Sequence, residues 1–250
     1  MAIAERFDRL ELKYHVSSAL AAQIRRAIAP WCRPDPFNGT CGYPISSLYL
    51  DTPGLLCHHA RMRGDADRFK LRVRTYSTDD PAHLEIKRKT GKIIHKVRTS
   101  IAREQLPEVM RRGLPGNAVA DRFVALAQQC GAGPRLTVCY HREAYTSVVD
   151  DYARVTFDRQ IKAAAAAPGD WALRCVDEGD GWVSLDGAGH LADGVSSTIV
   201  LELKCKTFVP RWMESLLRHF NLRSTGFSKY SQGVAACGLG ASQRLTTWRP

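Results

Sequence analysis

The sequence of 250 residues predicts an α+β fold built around a mostly antiparallel sheet. Segments in which apolar side chains alternate with polar ones outnumber the helical segments. Two pairs of these segments are separated by only a short turn, which is typical of antiparallel hairpins. Helices interrupt the strands without the regular strand–helix–strand order of a parallel sheet. No internal repeat or linker divides the chain, so we expect one domain over residues 1–250.

Eight strands are predicted, and residues that favour turns separate them. Gly91 joins the fourth strand to the fifth in a tight hairpin, and Asp150-Asp151 forms the turn between the sixth and the seventh. The stretch 30–44 is rich in proline and glycine and is expected to be a loop. The segment 163–192 is expected to form variable surface. The strands are predicted at residues 6–14, 45–51, 68–76, 82–90, 92–101, 135–148, 152–162 and 197–207.

Six helices are predicted from apolar residues spaced three or four positions apart. Ser17 or Ser18 caps the first helix, ahead of the spaced Leu20, Ile24 and Ile28. Pro210 fits the first turn of the fifth helix, where its missing N–H group is not needed. The helices are predicted at residues 17–29, 55–62, 104–112, 118–130, 210–220 and 228–237.

The overall composition is that of an ordinary globular protein. Hydrophobic residues make up 44% of the chain and charged residues 24%, which excludes a disordered or collagen-like chain. No run of about 18 uncharged apolar residues is present, so no membrane-spanning helix is expected. The N-terminus lacks the order of a signal peptide, and we expect a cytoplasmic protein. The eight cysteines form no CxxC pair, so we expect reduced thiols and no zinc ribbon.

The excess of basic residues restricts the function more than the rest of the composition does. Lys and Arg total 36 against 25 Asp and Glu, which gives a formal net charge of +11. A field of this sign attracts polyanions such as nucleic acid, phospholipid headgroups, nucleotides or polyphosphate, although a basic surface can also serve solubility alone. Aromatic residues do not alternate with the basic positions, so a platform for single-stranded nucleic acid is disfavoured.

Basic residues recur on one face of several predicted strands. In one strand Lys70, Arg72 and Arg74 share a face, opposite Leu71 and Val73. For any single strand, a charged face turned to water explains the pattern equally well. A face that repeats Lys or Arg over several strands repels itself unless an anion binds to it. The same alternation places together Glu11 with Lys13, Glu85 with Lys87 and Lys89, and Glu202 with Lys204 and Lys206.

A barrel with this charged face inward would be a cationic tunnel. Such a tunnel is costly when empty and therefore favours a polyphosphate chain inside it. The interspersed glutamates are poor ligands for an anion, but their oxygens suit a divalent cation that bridges phosphates. The pattern therefore predicts a divalent cation as cofactor, and the family resemblance given below implies Mn²⁺ or Mg²⁺.

At these residues the chain resembles the VTC domain, the polyphosphate polymerase module of the triphosphate tunnel metalloenzymes. The matching segments occur in the family's order and cover about residues 6 to 235, which leaves 238–250 as a tail. They are RLELKY at 9–14, ISSLYLDTP at 45–53, RFKLRVR at 68–74, LEIKRKTGKIIHKVR at 84–98, YHREAY at 140–145, VTFD at 155–158, LELKCK at 201–206 and PRWMESLLRHFNLRSTGFSKY at 210–230.

The resemblance implies a closed antiparallel barrel of about eight strands with helices packed outside. It implies that ATP binds inside and that its γ-phosphate is passed to a growing polyphosphate chain. The residues that match catalytic cations are Arg72, Arg74, Lys87, Arg142 and Lys229. The residues that match substrate-binding positions are Lys13, Arg61, Lys96, Tyr140, Lys204 and Ser228, with Tyr140 near the nucleotide end. Glu202 matches the metal ligand, and Glu85 and Glu11 are expected to assist it.

The sequence departs from the wider superfamily at its first strand. Relatives begin with ExExK, whereas here Arg9 stands at the first glutamate and Glu11 at the second. This departure favours the polymerase over the triphosphatase and cyclase branches, but it leaves fewer metal ligands on the strand. The fungal members carry membrane helices that this sequence lacks. A membrane-protein partner is therefore one expectation for this chain.

Three functions stay open at this stage. The first is a polymerase with ATP and polyphosphate or pyrophosphate as partners, and with no role for nucleic acid. The second is a hydrolase of triphosphate or nucleoside triphosphates, in which water takes the place of the acceptor. The third is a polyphosphate-binding module without catalysis. The sequence does not indicate the oligomeric state.

Overall fold

A computed structural model describes residues 10–76, 81–91, 93–150, 152–174, 181–186, 199–206, 208–224 and 226–240. Ten strands lie in these ranges. They are β1 (Leu10–Val16), β2 (Cys32–Pro34), β3 (Tyr43–Asp51), β4 (Asp67–Thr75), β5 (Ala82–Thr90), β6 (Ile93–Ile101), β7 (Gly133–Ser147), β8 (Ala153–Ala165), β9 (Val183–Ser184) and β10 (Ile199–Cys205). Six α-helices accompany them: α1 (Ser18–Ile28), α2 (Leu56–Arg63), α3 (Leu106–Arg112), α4 (Ala118–Cys130), α5 (Arg211–His219) and α6 (Lys229–Ala236).

All ten strands belong to one antiparallel sheet. Its main path has the order β1-β10-β8-β7-β3-β4-β5-β6, while β2 pairs with β7 and β9 pairs with β8. The predicted α+β class and the antiparallel pairing are confirmed. Within the described ranges β1 and β6 each pair on one side only, so the hydrogen-bonded path ends at these two strands and does not itself close.

Four of the six α-helices pack on the outer face of the sheet, and two apolar clusters hold them in place. The helix α2 contacts β3, β4 and α6. One cluster joins α1 and α5 to β1, β8 and β10, with Ile24 and Phe157 at its centre. The other joins α3 and α4 to β3, β4 and β5, with Phe123 and Leu71 fully buried. These residues are the apolar half of each alternating strand, so the polar half points to the opposite face.

The sixth helix, α6, packs against that opposite, inner face. Its Val234 contacts the cluster that contains Leu136 and Val138 of β7. Gly233 allows the close approach, because a Cβ atom there would lie 2.5 Å from the Leu136 side chain. Beyond α6 the inner face of β7 continues with Tyr140 and Arg142. The helix therefore fills one end of the inner surface and leaves the charged end open.

The predicted elements differ from the observed ones mainly at their ends. The loop predicted at 30–44 contains β2 and a short 3-10 helix at Pro36–Asn38. The predicted strand at 152–162 continues to Ala165, and β9 was not predicted. Ser17 caps α1 as expected and accepts a hydrogen bond from the Leu20 N–H.

Some of the predictions lie outside the described residues. They include the start of the first strand at residues 6–9, Cys175, parts of the segment 163–192, and the tail beyond residue 240. Seven cysteines of the described ranges are free thiols. None of the described helices is long and apolar enough to cross a membrane.

Candidate functional site

A cavity of about 1180 Å³ lies against the inner face of the sheet, beside the start of α6. All eight strands of the main path contribute side chains to its wall. Its most evident property is positive charge, because within the described ranges fourteen cations line it against the three carboxylates of Glu11, Asp35 and Glu202. The cations are Lys13, Arg61, Arg68, Lys70, Arg72, Arg74, Lys87, Lys89, Lys96, Arg98, Arg142, Arg154, Lys204 and Lys229.

Strand alternation explains how the sequence builds this wall. In β4 the side chains of Arg72 and Arg74 line the cavity, while Leu71 and Val73 are fully buried on the helix side. The neighbouring strand β5 pairs Glu85 directly opposite Arg72. Charges of opposite sign therefore meet across the ladder at this position, whereas Lys70 stands opposite Lys87 on the same face.

Thirteen of the fourteen site residues predicted from the sequence line this one cavity. The exception is Glu85, which is buried behind the wall with 1% of its side chain exposed. The roles assigned to these residues stay predictions. The thirteen are Glu11, Lys13, Arg61, Arg72, Arg74, Lys87, Lys96, Tyr140, Arg142, Glu202, Lys204, Ser228 and Lys229.

Five cations of the wall were not among the predicted site residues. They are Arg68, Lys70, Lys89, Arg98 and Arg154. Arg154 lies on β8, which holds none of the predicted site residues. The other four lie on the same strand faces as predicted residues, so the two-residue period contained their signal. It was too weak alone, because an inward and an outward charged face look the same in sequence.

Glu202 is surrounded by cations that reach it from three strands. Lys204 Nζ lies 2.9 Å from its Oε2, Lys13 Nζ lies 3.6 Å from Oε1, and an Arg142 nitrogen lies 3.6 Å from Oε2. Glu11 lines the same part of the cavity, on the adjacent strand β1. We call Glu202, Glu11, Lys13, Lys204 and Arg142 the Glu202 cluster.

Both carboxylates of the Glu202 cluster are held in the ionised form. Burial acts to raise the pKa of Glu202, but Lys204, Lys13 and Arg142 outweigh it and keep that pKa well below its ordinary value. Burial also acts to raise the pKa of Glu11, and the attraction of Lys87 lowers it below the ordinary value. Two ionised carboxylates facing one cavity are hard oxygen donors, and this donor set fits Mg²⁺ or Mn²⁺.

The contact between Glu11 and Lys87 joins two distant strands across the cavity. Lys87 belongs to β5 and its Nζ lies 2.7 Å from Glu11 Oε2 on β1. These strands are six places apart along the sheet path. The sheet is therefore curved enough for side chains near its two edges to meet.

Glu85 has a different environment. Its Oε2 accepts a hydrogen bond of 2.5 Å from Arg72 Nε, and Lys96 Nζ lies 2.7 Å from its Oε1. Burial acts to raise its pKa, but Arg72, Arg74 and Lys96 keep the pKa well below the ordinary value. We call Glu85, Arg72 and Lys96 the Glu85 cluster. Here the carboxylate fixes two cations of the wall from behind.

Asp158 is a second carboxylate behind the wall, and it was not among the site residues predicted from the sequence. Arg142 donates two hydrogen bonds to it, of 2.6 Å and 2.7 Å, and Lys229 Nζ lies 2.5 Å from Oδ2. Lys229 also lies 4.6 Å from the centre of the Tyr140 ring. The VTFD segment contained this residue, but nothing in sequence shows that it is buried beneath two cations.

Asp51 is a third buried carboxylate and does more than end a strand, the role predicted for it. Its Oδ1 accepts the backbone N–H groups of Thr52 and Cys57 at the start of α2. Its Oδ2 accepts a 2.6 Å hydrogen bond from the Tyr230 hydroxyl of α6. Asp51 therefore ties both helices that carry predicted phosphate-binding residues, Arg61 on α2 and Lys229 on α6.

The start of α6 lies at the cavity as predicted. Ser228 is the N-cap residue, and its Oγ accepts a 3.0 Å hydrogen bond from Lys70 Nζ. Lys13 Nζ donates to the Phe227 carbonyl oxygen at 3.3 Å. Strands β1 and β4 therefore both reach this segment, which narrows the cavity at one end.

A sequence model of the VTC domain family matches residues 8–237 of the chain. The match spans every strand and helix described above. No curated protein shows significant sequence similarity to the chain.

Three solved structures are similar in fold. A Bacillus halodurans protein described as a candidate adenylate cyclase has a TM-score of 0.51 at 10% identity, covering 88% of this chain and 93% of its own. A Vibrio parahaemolyticus protein with the same description has a TM-score of 0.49 at 15% identity, covering 92% and 99%. A Pyrococcus horikoshii protein has a TM-score of 0.44 at 13% identity, covering 90% and 96%. The Bacillus halodurans structure supports the fold of this chain and nothing about its function, because the identity is only 10%.

Proposed function

The chain belongs to the VTC domain family, and we propose that it transfers the γ-phosphoryl group of ATP to the end of a growing inorganic polyphosphate chain within its cavity. The observation that carries this proposal is the charge of the wall, where fourteen cations face three carboxylates. A wall of this kind repels itself when empty and is neutralised by an anion with many charges. A polyphosphate chain supplies such charges at regular spacing along its length.

The curvature of the sheet supports binding of an extended chain. All eight strands of the main path face the cavity, and Lys87 reaches Glu11 from the far side. We propose that the sheet surrounds the phosphate chain as a tunnel. Enclosure of this kind excludes water from the reacting phosphate and so favours transfer to phosphate over hydrolysis.

Phosphoryl transfer requires positioning and charge neutralisation more than covalent help from the protein. The bond between the γ-phosphorus and the β,γ-bridging oxygen breaks, and a bond from the terminal oxygen of polyphosphate to the γ-phosphorus forms. ADP leaves with the bridging oxygen. The attacking oxygen is already anionic near pH 7, so no side chain has to remove a proton from it.

The cations of the wall divide this task according to their geometry. The guanidinium groups of Arg72 and Arg74 are held by buried partners and present fixed forks to phosphate oxygens. The lysines at Lys13, Lys87 and Lys204 are mobile point charges that now contact carboxylates and can turn to phosphate. Fixed arginines and mobile lysines together allow a chain to bind and then to move.

Glu202 and Glu11 are the residues that would hold a divalent cation. When bound, the cation neutralises charge on the phosphates and orients them. Two carboxylates leave several coordination positions for phosphate oxygens and water, which is the usual arrangement for Mg²⁺ with nucleotides.

The proposal is tested with purified protein, ATP and added Mn²⁺, with products separated on a gel stained for polyphosphate. A ladder that is lost in Arg72→Ala and in Glu202→Ala supports the polymerase. The matched control is Arg88→Ala, because Arg88 lies on the outer face of β5 and pairs with exposed Asp67. This control is expected to keep the ladder.

Two other outcomes contradict the polymerase and identify the alternatives. Release of orthophosphate without any ladder indicates a hydrolase that uses the same wall. Tight binding of polyphosphate with no turnover, weakened in Arg72→Ala, indicates a binding module.

A further inference from the structure

Asp158 lies directly behind two cations of the cavity wall without reaching the cavity itself. Its side chain is completely buried, and among the described residues it is not part of the wall. The two cations, Arg142 and Lys229, both line the cavity. Asp158 therefore cannot contact a bound anion, and apart from its direct field it can act on the anion only through these two side chains.

The carboxylate of Asp158 is shared between the two cations in a specific way. Arg142 on β7 pairs directly opposite Asp158. Its Nε–H group donates a hydrogen bond to Oδ1 of Asp158, and a terminal N–H group donates one to Oδ2. Lys229, the first residue of α6, donates Nζ to the same Oδ2. Two positive groups from different elements therefore meet on one oxygen atom and lie side by side.

Lys229 has no other directional partner of this strength in the described part of the chain. It also lies near the ring faces of Tyr140 and Phe227, with centres 4.6 Å and 5.8 Å from Nζ, and near enough to Glu202 to help lower the pKa of that carboxylate. Ring faces attract a cation but do not fix its direction. The position of the ammonium group is therefore set mainly by Asp158.

The position of α6 as a whole does not depend on this contact. The Tyr230 hydroxyl is bound to buried Asp51, and Gly233 packs tightly against Leu136. Removing the charge of Asp158 is therefore expected to release the Lys229 side chain and leave the helix in place.

We propose that Asp158 is a positioning residue, which holds Arg142 and Lys229 together as a paired site for one phosphate group of the bound chain. This inference rests on the proposed function, because it assumes that the cavity binds a phosphate chain. Asp158 is negatively charged and by itself repels an anion, yet the proposal expects it to strengthen anion binding. If it acted only through its field, its neutralisation would strengthen anion binding. As a positioning residue, its neutralisation weakens anion binding.

The experiment measures the affinity of tripolyphosphate for the full chain without metal, by titration calorimetry. Asp158→Asn is expected to weaken binding about ten-fold, the range typical of residues that orient a ligand group from behind. Glu143→Gln is the charge-matched control, because Glu143 lies on β7 outside the cavity and pairs with Arg25. The control is expected to bind as the wild type does. Unchanged or tighter binding by Asp158→Asn overturns the inference.

The same substitution, made in the Lys229→Ala variant, separates positioning from a general structural effect. In Lys229→Ala the substitution Asp158→Asn is expected to weaken binding by about two-fold or less, because its main intermediary is already absent. Full, additive effects of the two substitutions would overturn the positioning of Lys229 by Asp158. Should Asp158→Asn fail to fold, Lys229→Arg decides the question, because it keeps the charge and alters its placement. Binding about ten-fold weaker supports positioning, and unchanged binding overturns it.

The inference can fail separately from the proposed function. A wild-type chain that does not bind tripolyphosphate contradicts the proposed function. In that case the crystal structure of Asp158→Asn still decides the local point. A Lys229 side chain that leaves residue 158 supports the positioning role, and one that stays in place overturns it.

Discussion

The Glu202 cluster and the Glu85 cluster are built from the same types of residue, yet they differ in what their carboxylates can do. Glu202 faces the cavity, and its three cations lie 2.9 Å to 3.6 Å away. Glu85 is buried, and its two cations lie 2.5 Å and 2.7 Å away. A carboxylate that faces the cavity and contacts lysines can exchange these partners for a metal ion. A buried carboxylate bound to an arginine fork has no such freedom.

The difference arises from which cation each carboxylate meets. Glu85 contacts Arg72, whose planar guanidinium binds a carboxylate strongly and holds one geometry. Glu202 is in closest contact with Lys204, a flexible point charge. We infer that the Glu85 cluster shapes the wall and that the Glu202 cluster provides the carboxylate that can exchange its partners for a metal ion.

The largest expected effect comes from removing the charge of Glu202. Glu202→Gln is expected to lower the metal-dependent rate by about 100-fold or more, because a ligand and its negative charge are lost together. It is also expected to abolish binding of Mn²⁺ to the protein without added phosphate, measured from the electron paramagnetic resonance signal of free Mn²⁺. Both effects follow from the position of Glu202 in the cavity.

Glu85→Gln is the matched comparison for this experiment. It removes the same charge from the same wall but is expected to leave Mn²⁺ binding unchanged. Equal loss of Mn²⁺ binding in both variants would remove the distinction between the clusters and would make Glu85 a metal ligand.

The next effect is on stability and belongs to the Glu85 cluster. Glu85→Gln is expected to lower the free energy of unfolding by about 2 kcal/mol at pH 7, less than for a fully buried pair because Arg72 and Lys96 are partly exposed. The folded pKa of Glu85 is lowered, so its contribution is complete above its unfolded pKa of about 4.3. That contribution is lost as the pH falls through the folded pKa.

Urea denaturation of wild type and variant at pH 7 and below pH 4 measures this contribution. The difference between them is expected to narrow at the lower pH. The control is Glu108→Gln on α3, where an exposed carboxylate pairs with exposed arginines, and there the change is expected to stay below about 0.5 kcal/mol. A difference that does not narrow at low pH would contradict the ionised, paired state of Glu85.

The sequence predicted the wall of the site better than its support. Period-two alternation shows which residues of a strand share a face, so Lys70, Arg72 and Arg74 could be grouped by their spacing alone. The resemblance to a family then indicated that this face is turned inward. The alternation could not separate Glu85 from Glu202, because both precede a lysine by two positions on a strand. The resemblance ranked Glu202 as the metal ligand and Glu85 as an assisting residue, but it did not indicate that Glu85 is buried behind the wall.

Asp158 and Asp51 show why the remaining part was out of reach. Their roles depend on contacts between segments far apart in sequence, such as the bond from Tyr230 to Asp51. An Asp that ends a strand before Thr-Pro predicts only a turn, when just the neighbouring residues are considered. The position of α6 on the inner face likewise depends on the fit of Gly233 to Leu136, which only the packed structure reveals.

The smallest effect concerns Lys70, a cation of the wall that belongs to neither cluster. Its Nζ contacts Ser228 and lies over the Tyr230 ring, and no carboxylate lies among these partners. Burial lowers the pKa of Lys70 to about 8. The group therefore loses its charge as the pH rises through that value, and tripolyphosphate is expected to bind less tightly.

The ratio of affinities between wild type and Lys70→Arg isolates this effect, because the titration of the ligand and of other wall residues cancels. We expect the wild type to lose about five-fold relative to Lys70→Arg between pH 7 and pH 9. A ratio that stays constant over this range would mean that Lys70 keeps its charge up to pH 9.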